Sequence, residues 1–161
     1  MNPCPCGNRG SAKRCVCKET DLQKYERKIS GPIIDRIDMW VPVGPIDHTE
    51  LRDQNSKRES AELREKVTAA REIQKKRFRK HSRGITLNSH MNVRDMNSFI
   101  KLEKEALDLL QSSAKTLQLS ARGYHKVMRL SQTIADLDIS LSVKEKHVTQ
   151  ALQYRPRSLF T

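Results

Sequence analysis

The sequence predicts a mainly α-helical protein, and three observations carry that expectation. Aromatic residues make up only 4% of the chain and hydrophobic residues 36%, against 31% charged, so the core must be built from aliphatic side chains on amphipathic helices. Residues 56–81 run with almost no helix breaker for about seven turns. Residues 119–137, LSARGYHKVMRLSQTIADL, combine a helix start with an apolar stripe: Ser120 is a good N-cap, and Val127, Leu130, Ile134 and Leu137 recur at steps of three and four. Arg122 and Arg129 lie off that stripe. Arg122 falls in the first turn, where the helix dipole disfavours a cation and favours an anion, so its position calls for a ligand or an acidic neighbour.

A chain of 161 residues suits one domain of ordinary size or a piece of a larger one. No apolar run approaches the roughly 18 residues of a membrane span, and the first residues, MNPCPCGNRG, lack the apolar core of a signal peptide; a cytoplasmic protein is expected. The net charge of +12 favours polyanionic partners, since clustered Lys and Arg displace the counterions of phosphates. A solvated basic face is the alternative.

Taken in order, the chain begins with all four of its cysteines, Cys4, Cys6, Cys15 and Cys17, as C-x-C, eight residues, C-x-C. In a reducing compartment four clustered thiolates can close a tetrahedral zinc site and order a stretch too polar to fold alone. The spacing is tighter than the usual C-x2-C knuckle, which leaves an unmetallated or oxidised loop as the other reading. Arg9, Lys13, Arg14 and Lys18 would offset the thiolate charge or touch phosphate.

Residues 21–29 read as a short helix with Leu22, Tyr25 and Ile29 on one side, ending at Ser30-Gly31-Pro32. Pro32 suits the first turn of a further short helix that delivers Asp35 and Arg36 to a surface. Asp35 and Asp38, a carboxylate pair without a pocket, read as capping and solvation. Met39–Val43 reads as a short strand whose Pro42 confines it to an edge or an end, and one strand needs sheet partners from elsewhere. Residues 46–56 read as a linker, with a turn of helix near Thr49.

In the helix beyond it, Leu63, Val67, Ala70, Ile73 and Phe78 mark an inward face. Its C-terminal half holds Lys75, Lys76, Arg77, Arg79 and Lys80, denser in cations than the dipole requires, and these are the candidate nucleic-acid contacts. Residues 84–92 read as a loop in which Asn88-Ser89-His90 offers no ligand spacing. A short helix at 93–100 and a longer one at 101–117, with Leu102, Ala106, Leu109, Leu110 and Leu117 inward, lead into the helix at 119–137. Ser142 is expected to cap a last helix over 143–153, with Val148, Ala151 and Leu152 inward, before a mobile tail at 156–161. No phosphate loop of the G-x-x-x-x-G-K-[ST] type, H-E-x-x-H helix or Ser/His/Asp arrangement is present, so the chain is unconvincing as a complete catalyst.

Four segments in one order carry a family resemblance: MNPCPCG followed by C-x-C, SGPIIDRIDMWVPV, LSARGYHKVMRLSQTIADL and ALQYR. Together they closely resemble the C-terminal part of the magnesium-chelatase-like AAA+ ATPases of the ComM (competence protein) and YifB type. The resemblance implies a helical-bundle lid domain at 57–155, preceded at 1–45 by a remnant of an α/β core made of a loop, short helices and one strand. It also implies that the natural protein continues upstream of Met1, where a phosphate loop and a magnesium-binding acidic motif would lie.

By position, the resemblance makes Asn2 the sensor 1 polar residue that orients water at the ATP γ-phosphate. It makes Arg36, in DRID, the arginine finger that reaches the ATP of a neighbouring subunit, a role that suits the fixed fork and permanent charge of a guanidinium. Arg122, in SAR, becomes the sensor 2 arginine of the lid, which supplies the phosphate its position calls for. The implied whole is a ring, a hexamer, in which ATP with Mg2+ sits between subunits and hydrolysis drives DNA remodelling of the branch-migration kind used in natural transformation. Insertion of magnesium into a tetrapyrrole, by a chelatase subunit, is the alternative within the family. A stand-alone zinc-containing nucleic-acid module is the alternative outside it, and a helical interaction scaffold ranks last. This chain by itself is expected to be monomeric and without ATPase turnover, with an ordered lid and an N-terminal third that, deprived of its packing partners, is poorly ordered or alternatively packed.

Overall fold

The computed structural model describes residues 2, 4–28, 31–44 and 56–155. The expected tail, and the linker apart from Ser56, lie outside the described residues. The elements are α1 (Glu19–Arg27), α2 (Gly31–Ile34), α3 (Ser56–Phe78), a 3₁₀ turn at Asn88–His90, α4 (Val93–Phe99), α5 (Lys104–Thr116), α6 (Ala121–Leu137) and α7 (Glu145–Gln153). The expected class is borne out: the protein is mainly helical.

Helix α6 is the centre. Ser120 caps it, its hydroxyl accepting the Gly123 N–H at 3.0 Å, and the helix ends in a Schellman turn in which the Ser140 N–H reaches the Ala135 carbonyl at 2.8 Å. The left-handed residue of that turn is Ile139, at φ 53°, a conformation that β-branched side chains rarely adopt. Helices α3, α4 and α7 pack on α6, and α5 packs on α7. The core joins Phe78 from α3, Met96 from α4, Ala106 and Leu110 from α5, Val127, Ile134 and Ala135 from α6, and Val148 and Ala151 from α7. Two loops are tied by a parallel bridge between Leu102 and Val143, with the Val143 N–H on the Lys101 carbonyl at 2.8 Å.

A polar network crosses this apolar core. Asp136 and Asn88 are fully buried. Asp136 accepts from Arg77 Nη1 at 2.9 Å, Asn88 Nδ2 at 2.7 Å and Gln132 Nε2 at 2.9 Å, while the Asn88 N–H is taken by the Gln74 side chain at 3.0 Å. A buried carboxylate is tolerated because cation and amide donors replace its water. The network fixes the 3₁₀ turn and α3 against the last turns of α6.

Four expectations need correction. Met39–Val43 is not a strand, because among the described residues no second strand is present to ladder with it; the Trp40 N–H bonds instead to the Tyr154 carbonyl, beyond the end of α7, at 2.9 Å. Ser142 does not cap α7: the helix begins after Lys144, and the Ser142 hydroxyl donates to the Glu103 carboxylate at 2.6 Å. Leu63 and Val67 do not face the core, being 60% and 44% exposed, since α3 packs on α6 only through its C-terminal half, where Ala70, Gln74 and Phe78 are buried. Leu117 and Leu137 are likewise exposed, as they occupy the last helical or first capping positions, where the chain turns outward.

Candidate functional site

The four cysteines converge. The first C-x-C pair is shaped by a tight turn in which the Gly7 N–H bonds to the Cys4 carbonyl at 3.0 Å and Gly7 takes φ 79°, a left-handed conformation available to glycine without a Cβ clash. The sulfurs of Cys4, Cys6, Cys15 and Cys17 all lie within 4.8 Å of one another. Cys4–Cys6, Cys6–Cys15 and Cys4–Cys15 are separated by 3.4, 3.6 and 3.8 Å, and all four are free thiols.

The thiols are electrostatically unlike one another. The backbone N–H groups of Asn8 and Val16 pull the Cys6 thiol down to about 6. The backbone N–H of Cys6 favours a Cys17 thiolate, but burial and the three neighbouring sulfurs push that thiol up to about 12. Four thiolates so close repel unless a cation sits among them. With zinc–sulfur bonds of about 2.3 Å, a tetrahedral site puts its sulfurs about 3.8 Å apart, and the observed separations are close to that. The donor set fits zinc, which four thiolates select over hard cations.

The two arginines of the DRID and SAR segments lie beside a contact between the loops that carry Asp35 and Ser120. Arg36 lies in the turn after α2, where its N–H bonds to the Ile33 carbonyl at 2.9 Å, and Arg122 is the second residue of α6. Both side chains are exposed. The loops meet because Ser120 Oγ, two residues before Arg122, donates to Oδ2 of Asp35 at 3.0 Å. Arg155 Nη2 stands 3.7 Å from the other oxygen of Asp35, and Lys126 Nζ is 2.9 Å from Asp38. Gly123 leaves room for Arg155, because a Cβ there would fall 3.3 Å from Nη2. Beside these contacts is a cavity of about 530 Å³, lined by Asp35, Leu119, Ser120, Leu152 and Arg155 among others. Asp35 and Asp38 therefore both face cations of the bundle, Asp35 from a half-buried position and Asp38 while remaining largely solvated, at 72% exposed.

Asn2 is placed elsewhere: its carbonyl accepts from the Tyr25 hydroxyl at 3.2 Å and its side chain approaches Gly7, at the base of the cysteine loop. The basic run of α3 divides. Lys75 and Lys76 near the end of the helix, and Arg79 and Lys80 in the turn that follows it, are exposed, with Lys75 near Glu72 at 3.6 Å. Arg77 turns the other way, into the Asp136 network, so it is not part of that surface.

Sequence reasoning missed Lys126 and Arg155, and missed the buried role of Asn88. A signal for Lys126 existed: a cation one residue from Val127 borders the buried face of α6 and needs a carboxylate. For Asn88 no periodicity helps, because its partners come from separate segments.

The magnesium chelatase subunit ChlI family model matches residues 1–51, and the model for the C-terminal region of that subunit matches residues 57–155. The chain is 32% identical over 157 residues to competence protein ComM of Haemophilus influenzae, covering 96% of this chain and 29% of that protein. It is 32% identical over 161 residues to the uncharacterized protein YifB of Escherichia coli, with the same coverage, and 27% identical over 154 residues to the uncharacterized protein Mb2921c of Mycobacterium bovis, covering 96% of this chain and 30% of that protein. The chain thus spans less than a third of the length of these curated relatives. Among the described residues no helix is long and apolar enough to cross a membrane.

Proposed function

We propose that this chain, which belongs to the magnesium chelatase ChlI family of AAA+ proteins, supplies the nucleotide-sensing lid and the arginine finger of a ring-forming, DNA-remodelling ATPase. The observation that carries the reading is Arg122, exposed in the first turn of a well-capped helix and without an ion-pair partner among the described residues. A cation placed against the helix dipole gains a counter-charge when a phosphate arrives. Residues 57–155 act as the lid.

In this reading Arg122 binds the phosphates of ATP held by its own subunit, and Arg36 reaches those of a neighbour. Asn2 orients the attacking water. ATP with Mg2+ supplies the phosphoryl group, while the residues here contribute charge at fixed positions, the form of catalysis phosphoryl transfer uses most. Zinc in the four-cysteine cluster would cross-link residues 4–17 and hold Asn2 at the base of the loop. Lys75, Lys76, Arg79 and Lys80 contact DNA phosphates, a role supported by the net charge of +12 and by the name of the Haemophilus relative, a competence protein.

The family description favours a second reading, an ATPase subunit that assists metal insertion into a tetrapyrrole. DNA dependence separates the two. In the chain extended upstream to the length of its relatives, ATP hydrolysis is expected to rise with DNA and to be lost in Arg122→Ala. Hydrolysis indifferent to DNA would favour the chelatase reading, and normal hydrolysis in Arg122→Ala would remove the sensor role.

A further inference from the structure

We infer that Asp35 and Asp38 form a two-point latch that fastens the Arg36 turn to the head of α6, so that Arg36 and Arg122 move as one body. The inference rests on the finger and sensor roles proposed above and adds four positioning residues to them: Asp35, Asp38, Lys126 and Arg155.

The latch is built on buried cations. The Lys126 side chain is 7% exposed and that of Arg155 is 9% exposed, and a cation so placed is costly unless a counter-charge meets it. Both counter-charges come from the same short stretch and reach the cations from the solvent side: the exposed Asp38 for Lys126 at 2.9 Å and the half-buried Asp35 for Arg155 at 3.7 Å. Arg155 depends on Asp35 the more because its Nε and Nη1 are buried with no hydrogen-bond partner among the described residues. The turn therefore has two attachment points, one on either side of Arg36, and the Trp40 N–H on the Tyr154 carbonyl adds a third.

Between those points Arg36 is left exposed, which is what a side chain needs if it is to reach a group outside its own subunit. The link to Arg122 is shorter still. One hydroxyl, Ser120 Oγ, accepts the Gly123 N–H that starts α6 and donates to Asp35. Any rotation of the α6 N-terminus that follows phosphate binding at Arg122 pulls on Asp35, the residue next to Arg36. Asp35 also lies at the positive end of the α6 dipole, where a carboxylate is favoured.

The chain contains a single tryptophan, Trp40, and its half-buried indole reports docking directly. In the Asp35→Asn/Asp38→Asn double variant, acrylamide quenching of Trp40 is expected to rise several-fold, while far-UV helicity stays near that of the parent chain and the denaturation midpoint falls, because Lys126 and Arg155 lose their counter-charges. Asp38→Glu, which keeps the charge, is expected to retain most of the protection. In the upstream-extended ATPase, Asp38→Asn is expected to lower kcat on the order of tenfold with KM for ATP little changed, and Asp38→Glu to restore kcat.

Unchanged quenching in the double variant would overturn the latch whatever the ATPase does. Trp40 release with normal kcat in Asp38→Asn, alongside lost activity in Arg36→Ala, would overturn its positioning role. Normal kcat in Arg36→Ala would instead remove the finger assignment, and with it the positioning role, while docking of the turn stood on the fluorescence alone.

Discussion

The Arg77 guanidinium donates through Nη1 to Oδ2 of Asp136 at 2.9 Å, although a run of cations in the sequence suggests that it faces phosphate. The pair joins α3 to the end of α6 and is completed by Asn88, which bonds to both partners. Removing the carboxylate leaves a largely buried cation without its counter-charge. Asp136→Ala is therefore expected to destabilise the bundle by about 3–5 kcal/mol, measured by urea denaturation. A loss below about 1 kcal/mol would show that the network is relaxed or hydrated in solution.

The same geometry separates the basic residues at the end of α3 by role. Substituting Lys75, Lys76, Arg79 and Lys80 singly by Ala is expected to weaken DNA binding and to reduce the slope of log K against log salt by about 1 each. Arg77→Met is expected to leave that slope unchanged in the fraction that remains folded. Salt-titrated anisotropy with a labelled duplex makes the comparison, and equal slopes for all five variants would place the DNA surface elsewhere.

Zinc is expected at one ion per chain. Cobalt substitution should give the thiolate-to-metal charge-transfer absorption of a tetrahedral four-sulfur site, and chelation should abolish it. Because the ligands must be thiolates, uptake weakens as pH falls. Cys4→Ser is expected to reduce affinity sharply, as Cys4 is the most buried of the four cysteines. Protein that takes up no metal from excess zinc at neutral pH, with its thiols reduced, would contradict the assignment.

Acid should loosen the junction between α3 and α4. The Asn92 backbone N–H holds the Asp95 carboxyl below its usual range, and, against the opposing effect of burial, His81 and Arg83 lower it further. A carboxylate whose folded value is depressed contributes stability that is present above its unfolded value, about 3.9, and lost as pH falls through the folded one. The urea midpoint is thus expected to be nearly flat with respect to this group above about pH 5 and to drop below about pH 4, with a shallower drop in Asp95→Asn. Parallel acid profiles for the two proteins would assign the transition to other carboxylates.

Much of the fold was legible because its signals are local. The periodicity and Ser120 cap of α6 predicted the central helix, and the absence of breakers predicted α3. What was not legible depended on partners distant in sequence. Leu63 and Val67 carry helical spacing, yet spacing cannot tell that α3 meets α6 only in its second half. Asp35 and Asp38 carry no sequence signal for the partners that Ser120, Arg155 and Lys126 bring to them across the fold, Asp38 while still largely solvated. The convergence of the cysteines, by contrast, follows from their short spacing, since so brief a stretch, turned at Gly7 and Gly10, can hardly keep four sulfurs apart.

In the proposed reading Arg122 serves the ATP of its own subunit and Arg36 that of its neighbour, and mixing of variant subunits separates the two roles. In the upstream-extended protein, Arg36→Ala and Arg122→Ala are each expected to lack ATPase activity. An equimolar mixture should regain part of it, because a subunit with an intact Arg122 can then receive Arg36 from the variant beside it. A mixture no more active than either variant alone would contradict the division of the two arginines between neighbouring subunits.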